Sequence, residues 1–565
     1  MNYINVLWLL CFVFHPVWGQ GLLMPVNHLS NSSMDRWEVS HPDKFKTFHT
    51  SIKPYVRQDV LRLAEDLYGE DSIYFERDRN AAYLVRDDWW LIQLDENKLP
   101  DQWQKGRKGL LGWFYQHAKS LSVLDNGKGN IIELNPILGL SVGRASTSEN
   151  TFGNVRGLSV NGSLDNKIFF YSEIREIQRI LPSYFDAYRR RFNVVPHAGN
   201  YKTYQSKLWG SENGLDYNLA NSYVSFRLSP HLGVVLGHGK NFIGNGIRSL
   251  ILSDFGMNYS YAKLRWDFGK LQYNNLYAIL NSRTRNDINR DGILPKKYMT
   301  AHYLNYKPIP TLELGIYESV IFSRNNGYEI DYLNPIIFYR SVEFNLGSPD
   351  NVLMGLNLKW NPMKHLSVYG QLMMDEFKLS EIKNYRRGWW ANKWGTQLGV
   401  KYLDAFNVDH LSFQWEYNVT RPYTYSHRDS VRSYAHYNQP LAHPWGANFK
   451  EWIASVRYQP TEKMVLEAFW ISGCRGLDKG NENNGSDILR SYFEGVNLFG
   501  NEICQGQRTQ VQLLNVIAQY QFYHNYFIDL QYVYRSEKET TGSSNTYHLL
   551  QAGLRINLQP YDLKF

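Results

Sequence analysis

The sequence predicts an all-β protein: a transmembrane antiparallel β-barrel of about 18 strands with a small N-terminal helical region. Three observations predict this fold. Segments of about ten residues alternate apolar and polar side chains, short and long connections follow one another, and aromatic residues make up 15% of a chain with a mean hydropathy of −0.46. A helical span needs about 20 consecutive apolar residues, whereas a barrel strand faces lipid only at every second residue. The composition therefore excludes a multi-spanning helical protein.

The alternation is clearest in the second half of the chain. In residues 411–420, every odd-numbered side chain is apolar or aromatic and every even-numbered one is polar. The same alternation recurs in residues 351–360, 526–535 and 549–558. Each segment has about ten residues, the length of a tilted transmembrane strand, whereas strands of globular proteins commonly have about 5 to 6. We therefore assign residues 129–565 to the barrel.

The connections differ in length in a regular way. Short turns are predicted at residues 306–311, 361–364 and 459–462, and long polar connections at residues 281–297, 377–392, 420–448 and 473–508. Short turns at one end and long loops at the other are typical of outer-membrane barrels, with the long loops outside the cell. A soluble carbohydrate-active β-protein, which has a similar composition, has no reason to separate its loops by length. The pattern indicates a bacterial outer membrane location.

The N-terminus resembles a secretory signal peptide over residues 1–19. The apolar run Val6–Val17 is too short to span a bilayer, and Gly19 precedes a cleavage point before Gln20. The absence of Lys and Arg before the run departs from the usual pattern. Residues 20–128 are then predicted to form a helical periplasmic region at the periplasmic end or the barrel mouth, with helical patterns at residues 51–69 and 109–121.

The last residues, Tyr561, Leu563 and Phe565, resemble the terminal assembly signal of outer-membrane barrels. This resemblance agrees with the strand pattern and the predicted signal peptide. Pro560 departs from this pattern, because it lacks the N–H group that a strand would donate.

The two cysteines that follow the predicted signal peptide, Cys474 and Cys504, allow a disulfide in an exported protein. Such a bridge would close a loop of about 30 residues and stabilise the fold by roughly 3 to 4 kcal/mol. Two free thiols are the alternative.

The formal net charge of +8 points to an acidic partner. Nucleic acid is not expected, because the chain has no long Lys/Arg tract and no zinc-finger or RNP motif. An acidic surface polysaccharide or lipopolysaccharide suits an exported protein better, and a contribution to solubility alone is the alternative. The chain has no HExxH or GxSxG motif, so we expect no catalysis, although a glycosidase carboxylate pair stays an alternative.

One segment resembles half of a calcium-binding loop. Asp287, Asn289 and Asp291 precede Gly292 in the D-x-N-x-D-G pattern of oxygen ligands. Tyr298 stands where a bidentate carboxylate is needed, so a polar extracellular turn is the alternative. Calcium is the single cofactor that the sequence suggests.

The segment 384–394 places three tryptophans among basic residues. Sugar rings stack on aromatic faces, and arginine pairs with carboxylates of acidic sugars. The alternative is an aromatic girdle with basic neighbours at the lipid headgroups. The predicted glycan-binding residues, which include four from the connection 420–448, are Arg386, Arg387, Trp389, Trp390, Trp394, Arg421, Tyr423, His443 and Trp445.

Two further stretches carry a family resemblance. Residues 237–264 begin GHGKNFIGNGIRSLIL, and residues 437–452 read YNQPLAHPWGANFKEW. The glycines of the first stretch lack a P-loop Lys-Ser/Thr and predict a tight turn or close chain approach inside the barrel. Together the stretches resemble the capsule assembly Wzi family, and most closely its gliding-motility-associated branch. The resemblance implies an 18-stranded outer-membrane barrel with periplasmic helices and lectin-like attachment of capsular polysaccharide, without catalysis.

The leading hypothesis is therefore a barrel that binds or helps assemble surface polysaccharide. The first alternative is an oligosaccharide channel or porin, because Gln414, Glu416, Gln531 and Arg535 are predicted to face the lumen. The second alternative is a structural component of gliding or secretion machinery, whose partners the sequence does not identify.

Overall fold

The computed structural model describes residues 21–28, 30–68, 91, 121–146, 149–206, 211–284, 293–324, 327–347, 350–376, 380–381, 385–540 and 542–565. These residues form a closed antiparallel β-barrel, and two helices precede the barrel strands in the chain. The predicted fold class is thereby confirmed. Two short strands, Ser122–Asp125 and Lys202–Ser206, add to the barrel without forming part of the closed ring.

The ring consists of 18 strands that pair in chain order. They are β1 (Ile131–Ala145), β2 (Asn150–Leu164), β3 (Ile168–Ile180), β4 (Ser211–Ser229), β5 (Leu232–Gly239), β6 (Tyr259–Phe268), β7 (Leu271–Asn281), β8 (Lys296–Ile309), β9 (Leu312–Phe322), β10 (Asn351–Met363), β11 (Leu366–Glu376), β12 (Lys393–Tyr402), β13 (Leu411–Thr420), β14 (Phe449–Thr461), β15 (Met464–Leu477), β16 (Gln507–Tyr523), β17 (Tyr526–Glu539) and β18 (Ser544–Ile556). The ring closes where β18 pairs with β1, from Leu549 opposite Ala145 to Ile556 opposite Leu138. The predicted short turns all join consecutive strands at one end.

The outer wall of the barrel is apolar. Ile316, Leu398 and Leu530 point outward and are 57%, 57% and 54% exposed. Outward aromatic side chains such as Trp360 and Tyr523 lie near the short-turn end of their strands. Closure pairs the backbone of every strand, and an apolar exterior suits hydrocarbon. The chain is therefore built as a multi-pass barrel of the outer-membrane type.

Four α-helices lie within the described residues: α1 (Asn31–Ser40), α2 (Arg57–Tyr68), α3 (Ser183–Phe192) and α4 (Tyr339–Leu346). None of these described helices combines the length and the apolar character needed to cross a bilayer. The helix predicted within residues 51–69 corresponds to α2, which begins later because residues 55–56 form a short strand. The predicted signal peptide and the helix predicted over residues 109–121, apart from its last residue, lie outside the described part of the chain.

Residues 21–68 lie inside the barrel at its short-turn end. The backbone N–H of Leu23 donates to the hydroxyl of Tyr223 on the inner face of β4 at 2.7 Å. The short strand Ile52–Lys53 pairs with Phe242–Ile243, which belongs to a loop from the opposite end. Residues 21–28 and 30–68 therefore enter the barrel mouth and meet the loops that enter from the other side.

Two long connections, residues 240–258 and 421–448, fold into the lumen. Leu250 and Ile251 are fully buried, and their carbonyl oxygens accept hydrogen bonds from the hydroxyls of Tyr425 and Tyr434 at 2.7 and 2.8 Å. Gly244 has a φ of +143°, and a Cβ there would lie 2.5 Å from the side-chain nitrogen of Gln371. This confirms the predicted close chain approach. We call residues 21–68, 240–258 and 421–448 together the plug.

The last residues do not form part of a strand. After β18 the chain turns back into the lumen at Asn557, which has a φ of +50°. The side chain of Lys564 lies 2.6 Å from Glu467, and the ring of Phe565 lies 4.5 Å from that of Phe185 in α3. Pro560 cannot donate to a ladder, and the terminal aromatic side chain is buried among lumenal rings instead of ending a strand.

Candidate functional site

Three connections meet at the long-loop end of the barrel, over β12 to β16. They are residues 385–392, residues 421–432 and residues 478–506. The first contains Arg386, Arg387, Trp389 and Trp390, which the sequence predicts as ligand-binding residues. Their arrangement depends on how the first and third connections pair.

The first connection pairs with the third through backbone hydrogen bonds. The N–H of Gly500 donates to the carbonyl of Arg387 at 2.8 Å, the N–H of Asn501 donates to Gly388 at 3.0 Å, and the N–H of Trp390 donates to Leu498 at 3.2 Å. Gly388 has a φ of +59°, and a Cβ at this position would lie 2.5 Å from the nitrogen of Asn501. A glycine is therefore required for the two connections to approach.

A disulfide and one asparagine anchor the third connection. Cys474 and Cys504 are bridged, with their Cα atoms 6.1 Å apart, so the structure contains the disulfide that the sequence allows. The side-chain oxygen of Asn448 accepts from the N–H of Cys504 at 2.8 Å, and its side-chain nitrogen donates to the carbonyl of Gly476 at 2.9 Å. The base of the connection is therefore tied to β15 and to the plug.

Cations and aromatic rings alternate on the surface formed in this way. The guanidinium of Arg387 lies 4.4 Å from the ring centre of Phe499, and that of Arg428 lies 5.2 Å from Phe493. Phe493 and Phe499 are 57% and 45% exposed. We call the surface cluster the loop-end patch; its members are Arg386, Arg387, Trp389, Trp390, Arg428, Tyr492, Phe493 and Phe499.

The centre of the loop-end patch is rigidly supported. The rings of Trp390 and Tyr492 are 4.7 Å apart, and the buried ammonium of Lys393 lies 3.9 Å from the Tyr492 ring centre. Burial raises the pKa of the Tyr492 hydroxyl above its ordinary value, so this ring stays neutral. The outer part of the patch carries exposed arginines and rings, which can stack on sugars and pair with carboxylates.

Two other predicted residues lie directly beneath the patch. Arg421 is buried and donates to the carbonyl of Trp389 at 3.3 Å, and the hydroxyl of Tyr423 donates to the carbonyl of Asn483 at 2.8 Å. Burial lowers the pKa of the Arg421 guanidinium. These side chains support the patch from below and do not reach its surface.

The remaining three predicted residues lie elsewhere. Trp394 shares the outward face of β12 with the lipid-exposed Leu398, as the girdle alternative expects. His443 is fully buried in the plug, 2.7 Å from Glu451, and burial lowers its pKa despite that carboxylate. Trp445 is 3% exposed beside His443. The structure does not bring these three residues to the loop-end patch.

The candidate calcium ligands Asp287, Asn289 and Asp291 lie outside the described residues. Among the residues that are described, no group of three or more His, Cys, Asp or Glu side chains could hold a metal ion.

Four members of the patch were not predicted from the sequence: Arg428, Tyr492, Phe493 and Phe499. All but Arg428 belong to the connection predicted over residues 473–508, where the aromatic content of a polar loop was the available signal. Phe493 and Phe499 are large, exposed apolar side chains, and each lies beside an exposed arginine.

A second feature is a lumenal cavity of about 640 Å³ beside the plug. It is bounded by the inner faces of β1 to β4 and β16 to β18, and Arg179, Tyr217 and Gln531 are among its lining residues. The predicted pore residue Glu416 lies elsewhere: it is fully buried and accepts the backbone N–H of Ile247 at 2.7 Å. Glu416 therefore fastens the plug instead of lining a pore.

Comparisons with known proteins place the fold. No family model matches the chain, and no curated protein does. Among solved structures, the chain is similar to Wzi, an outer-membrane protein involved in group 1 capsule assembly in Escherichia coli and described as a carbohydrate-binding β-barrel. The TM-score is 0.54 at 12% identity, over 96% of this chain and 100% of that one. Pseudomonas aeruginosa OprD gives a TM-score of 0.42 at 11% identity, over 78% of this chain and 96% of that one.

This chain is a Wzi-like barrel in its fold. The similarity extends over the whole Wzi chain, and this chain and Wzi are both barrels of the outer-membrane type. The predicted resemblance is thereby supported at the level of architecture.

Proposed function

We propose that this barrel binds an acidic surface polysaccharide, such as a capsule, through the loop-end patch, and holds or helps assemble it without cleaving it. The observation that carries the proposal is the pairing of exposed arginines with exposed rings, Arg387 with Phe499 and Arg428 with Phe493. Each pair offers a ring for stacking on a sugar and N–H groups for its carboxylate.

The position of the patch supports this role. It lies at the long-loop end, which faces the outside in barrels of this type. Wzi, the similar barrel, is described as carbohydrate-binding and as acting in capsule assembly, and a ligand of the same class suits the patch chemistry. We therefore also propose that this barrel acts in capsule assembly and belongs to the same family as Wzi.

We infer binding without catalysis from the chemistry of the patch. Its members are aromatic rings and cations, which can hold a sugar acid. Glycoside hydrolysis uses a pair of carboxyl groups, whereas the carboxylate that contacts Arg387, that of Glu381, is paired with its guanidinium at 3.6 Å.

The test is a binding titration of detergent-folded protein with acidic capsular polysaccharide and, separately, with lipopolysaccharide. The triple variant Arg387→Ala, Trp389→Ala, Phe499→Ala should weaken polysaccharide binding at least tenfold, because it removes two stacking faces and one carboxylate partner. Binding by the unaltered protein should weaken as salt rises, since exposed charges are screened.

The matched control is Lys364→Ala with Phe406→Ala, which removes an exposed cation and a 72% exposed ring at the opposite end. It should bind as the unaltered protein does. Equal affinity of the triple variant and the control would refute the proposal.

A second candidate, an oligosaccharide channel, is favoured by the lumenal cavity. The cavity is lined by polar and charged side chains, including Arg179 and Gln531, as a sugar path would be. In planar bilayers this candidate expects steady conductance that a substitution such as Gln531→Trp reduces. A non-conducting bilayer would leave polysaccharide binding as the single proposal.

A further inference from the structure

The connection between β9 and β10 does not cover the barrel mouth. It turns down along the outer wall of β7 to β10, with a 3₁₀ turn at Ile330–Leu333 followed by α4. We call residues 327–347 the lateral lobe.

Hydrogen bonds place the lobe well down the wall. The carbonyl of Pro335 accepts from the hydroxyl of Tyr273 and, at 2.9 Å, from the side-chain nitrogen of Asn275. Tyr273 is the third residue of β7 counted from the short-turn end. It pairs with Leu304, which pairs with Ile316, one of the most exposed residues of the apolar outer wall. The lobe therefore lies level with that wall.

The inner side of the lobe satisfies polar groups of the wall. The carboxylate of Glu318, which points outward from β9, accepts the backbone N–H groups of Tyr339 and Arg340, each at 3.0 Å. The hydroxyl of Tyr277 donates to the carbonyl of Leu333 at 3.1 Å. Such polar side chains would be costly on a wall that faces hydrocarbon, and so would the irregular backbone of the lobe. The hydrogen bonds between the wall side chains and the lobe backbone satisfy the polar groups of both.

Apolar contacts complete the attachment. The rings of Tyr332 and Phe322 are 4.9 Å apart, and that of Tyr339 lies 3.9 Å from His302 on β8. The buried cluster between lobe and wall consists of Val320, Phe322, Tyr332, Tyr339, Val342 and Val352. The lobe is thus a fixed part of the wall.

The outer side of the lobe is largely apolar. Ile330, Ile336, Phe338 and Phe344 are 71%, 80%, 75% and 81% exposed. Arg340 is the exposed cation of this side and pairs with Glu343 at 3.0 Å. The exposed polar residues of the lobe are Asp331, Asn334, Arg340, Ser341 and Asn345. A segment that exposes large apolar side chains beside polar and charged ones has the composition of an element at the boundary of headgroups and acyl chains.

From these observations we propose that the lateral lobe is embedded in the lipid of the outer membrane, with Ile336, Phe338 and Phe344 in contact with acyl chains. A loop that the sequence would assign to the cell surface is thereby a membrane-contacting element, independent of the loop-end patch.

The test uses single cysteines that carry a nitroxide spin label. Ile336→Cys, Phe338→Cys and Phe344→Cys are each reconstituted in phosphatidylcholine–phosphatidylglycerol vesicles, and the collision of the label with oxygen and with a water-soluble nickel chelate is measured. Ile316→Cys is the control for the lipid-facing wall and Phe499→Cys the control for the loop-end patch. The two cysteines of the described residues, Cys474 and Cys504, are bridged and do not take the label.

We expect the oxygen-to-nickel ratio at the three lobe positions to match that of Ile316→Cys within about twofold and to exceed that of Phe499→Cys by about tenfold. A ratio equal to that of Phe499→Cys would overturn the proposal, because the lobe would then lie in water. Low collision with both reagents would also overturn it and would assign the face to a protein partner or a second copy. Heat-modifiable migration on gels confirms beforehand that each variant is folded.

Discussion

The two ends of the plug are held by different chemistry. At the short-turn end, buried ammonium groups meet buried carboxylates: Lys359 lies 2.6 Å from Glu38, Lys307 lies 2.6 Å from Glu38, and Lys401 lies 2.5 Å from Asp35. The three lysines come from the ends of β8, β10 and β12, and both acids from α1. Charge therefore holds the N-terminal helix in the barrel.

At the long-loop end, side chains of the wall bind the backbone of the plug. The side-chain oxygen of Gln371 accepts the N–H of Leu250 at 2.8 Å, and the side-chain nitrogen of Gln397 donates to the carbonyl of Arg248 at 3.0 Å. The carboxylate of Glu416 accepts a third hydrogen bond, from the backbone N–H of Ile247. Hydrogen bonds from several wall side chains therefore hold this loop, together with one ion pair, that of Arg248 with Glu451 at 3.6 Å.

The difference predicts different responses to damage. Removing one partner of a buried ion pair leaves an uncompensated charge, which is strongly destabilising. Removing one of several hydrogen bonds lowers the stability by less, because it leaves one unsatisfied polar group and no unpaired charge. We therefore expect a single substitution at the charged end to lower the opening free energy more than a single substitution at the hydrogen-bonded end.

The largest effect is expected from Lys359→Ala. It leaves Glu38 and Asp35 short of a buried cation, and the free energy of opening of α1 should fall by about 3 to 5 kcal/mol. Native-state hydrogen exchange of the α1 amides measures this opening directly.

Lys364→Ala is the matched control, because Lys364 is exposed in the adjacent turn. It should leave the exchange of α1 unchanged. Equal exchange in the two variants would show that the ion pairs do not hold the helix.

A smaller effect is expected from Glu416→Gln. The amide keeps one acceptor oxygen and turns an N–H donor toward a backbone N–H, so the opening free energy of residues 247–252 should fall by about 1 to 3 kcal/mol. Exchange of those amides provides the measurement, with Glu462→Gln in an exposed turn as the control. A loss as large as that of Lys359→Ala would remove the distinction between the two ends.

Acid should act on the charged end. Burial raises the pKa of Asp35, but the attraction of Lys401 and Lys359 outweighs it, so the pKa lies well below the ordinary value. The stabilisation is then complete above the ordinary carboxyl pKa of about 3.9 and is lost as pH falls toward the lower folded value. Protection of the α1 amides against hydrogen exchange, corrected for the intrinsic pH dependence of exchange, should therefore be lost only below about pH 4. An onset near pH 6 would contradict this assignment and point to histidine.

The smallest effect is expected from salt. Buried ion pairs are screened far less than exposed ones, so raising salt from about 0.1 M to about 1 M should leave the exchange of α1 almost unchanged. Binding of acidic polysaccharide to the loop-end patch should weaken over the same range. A salt-induced release of α1 would indicate that water reaches Lys359 and Glu38.

The strands were predictable because their environment alternates. A residue of β13 such as Trp415 faces lipid and its neighbour Glu416 faces the lumen, so a period of two is present in the sequence itself. The predicted turns at residues 306–311, 361–364 and 459–462 agree with the strand ends for the same reason.

The plug was not predictable in this way. Its α2 helix shows a helical period and was predicted, but its two long loops, residues 240–258 and 421–448, are surrounded by polar wall side chains on several sides and show no period. His443 and Trp445 have the composition of ligand-binding residues, yet they are buried in the plug. The part of the candidate site that was predictable, Arg387 to Trp390, was recognisable because tryptophan and arginine are concentrated in one short loop.

Beneath the lateral lobe, the outward face of the barrel wall carries polar side chains where the rest of the outer wall is apolar. Asn275, His302 and Glu318 are polar side chains on the outward face of their strands. Without the lobe, alternation alone would assign such residues to the lumen. Only the three-dimensional contact shows that they bind another part of the same chain.

The bridge between Cys474 and Cys504 makes the connection that carries Phe493 and Phe499 a covalent ring. A protease at the cell surface that cut this connection once would not release either part of the chain. Both fragments would stay joined and would separate only on a reducing gel. The loop that carries Phe493 and Phe499 is therefore one whose single cleavage leaves the two fragments covalently joined.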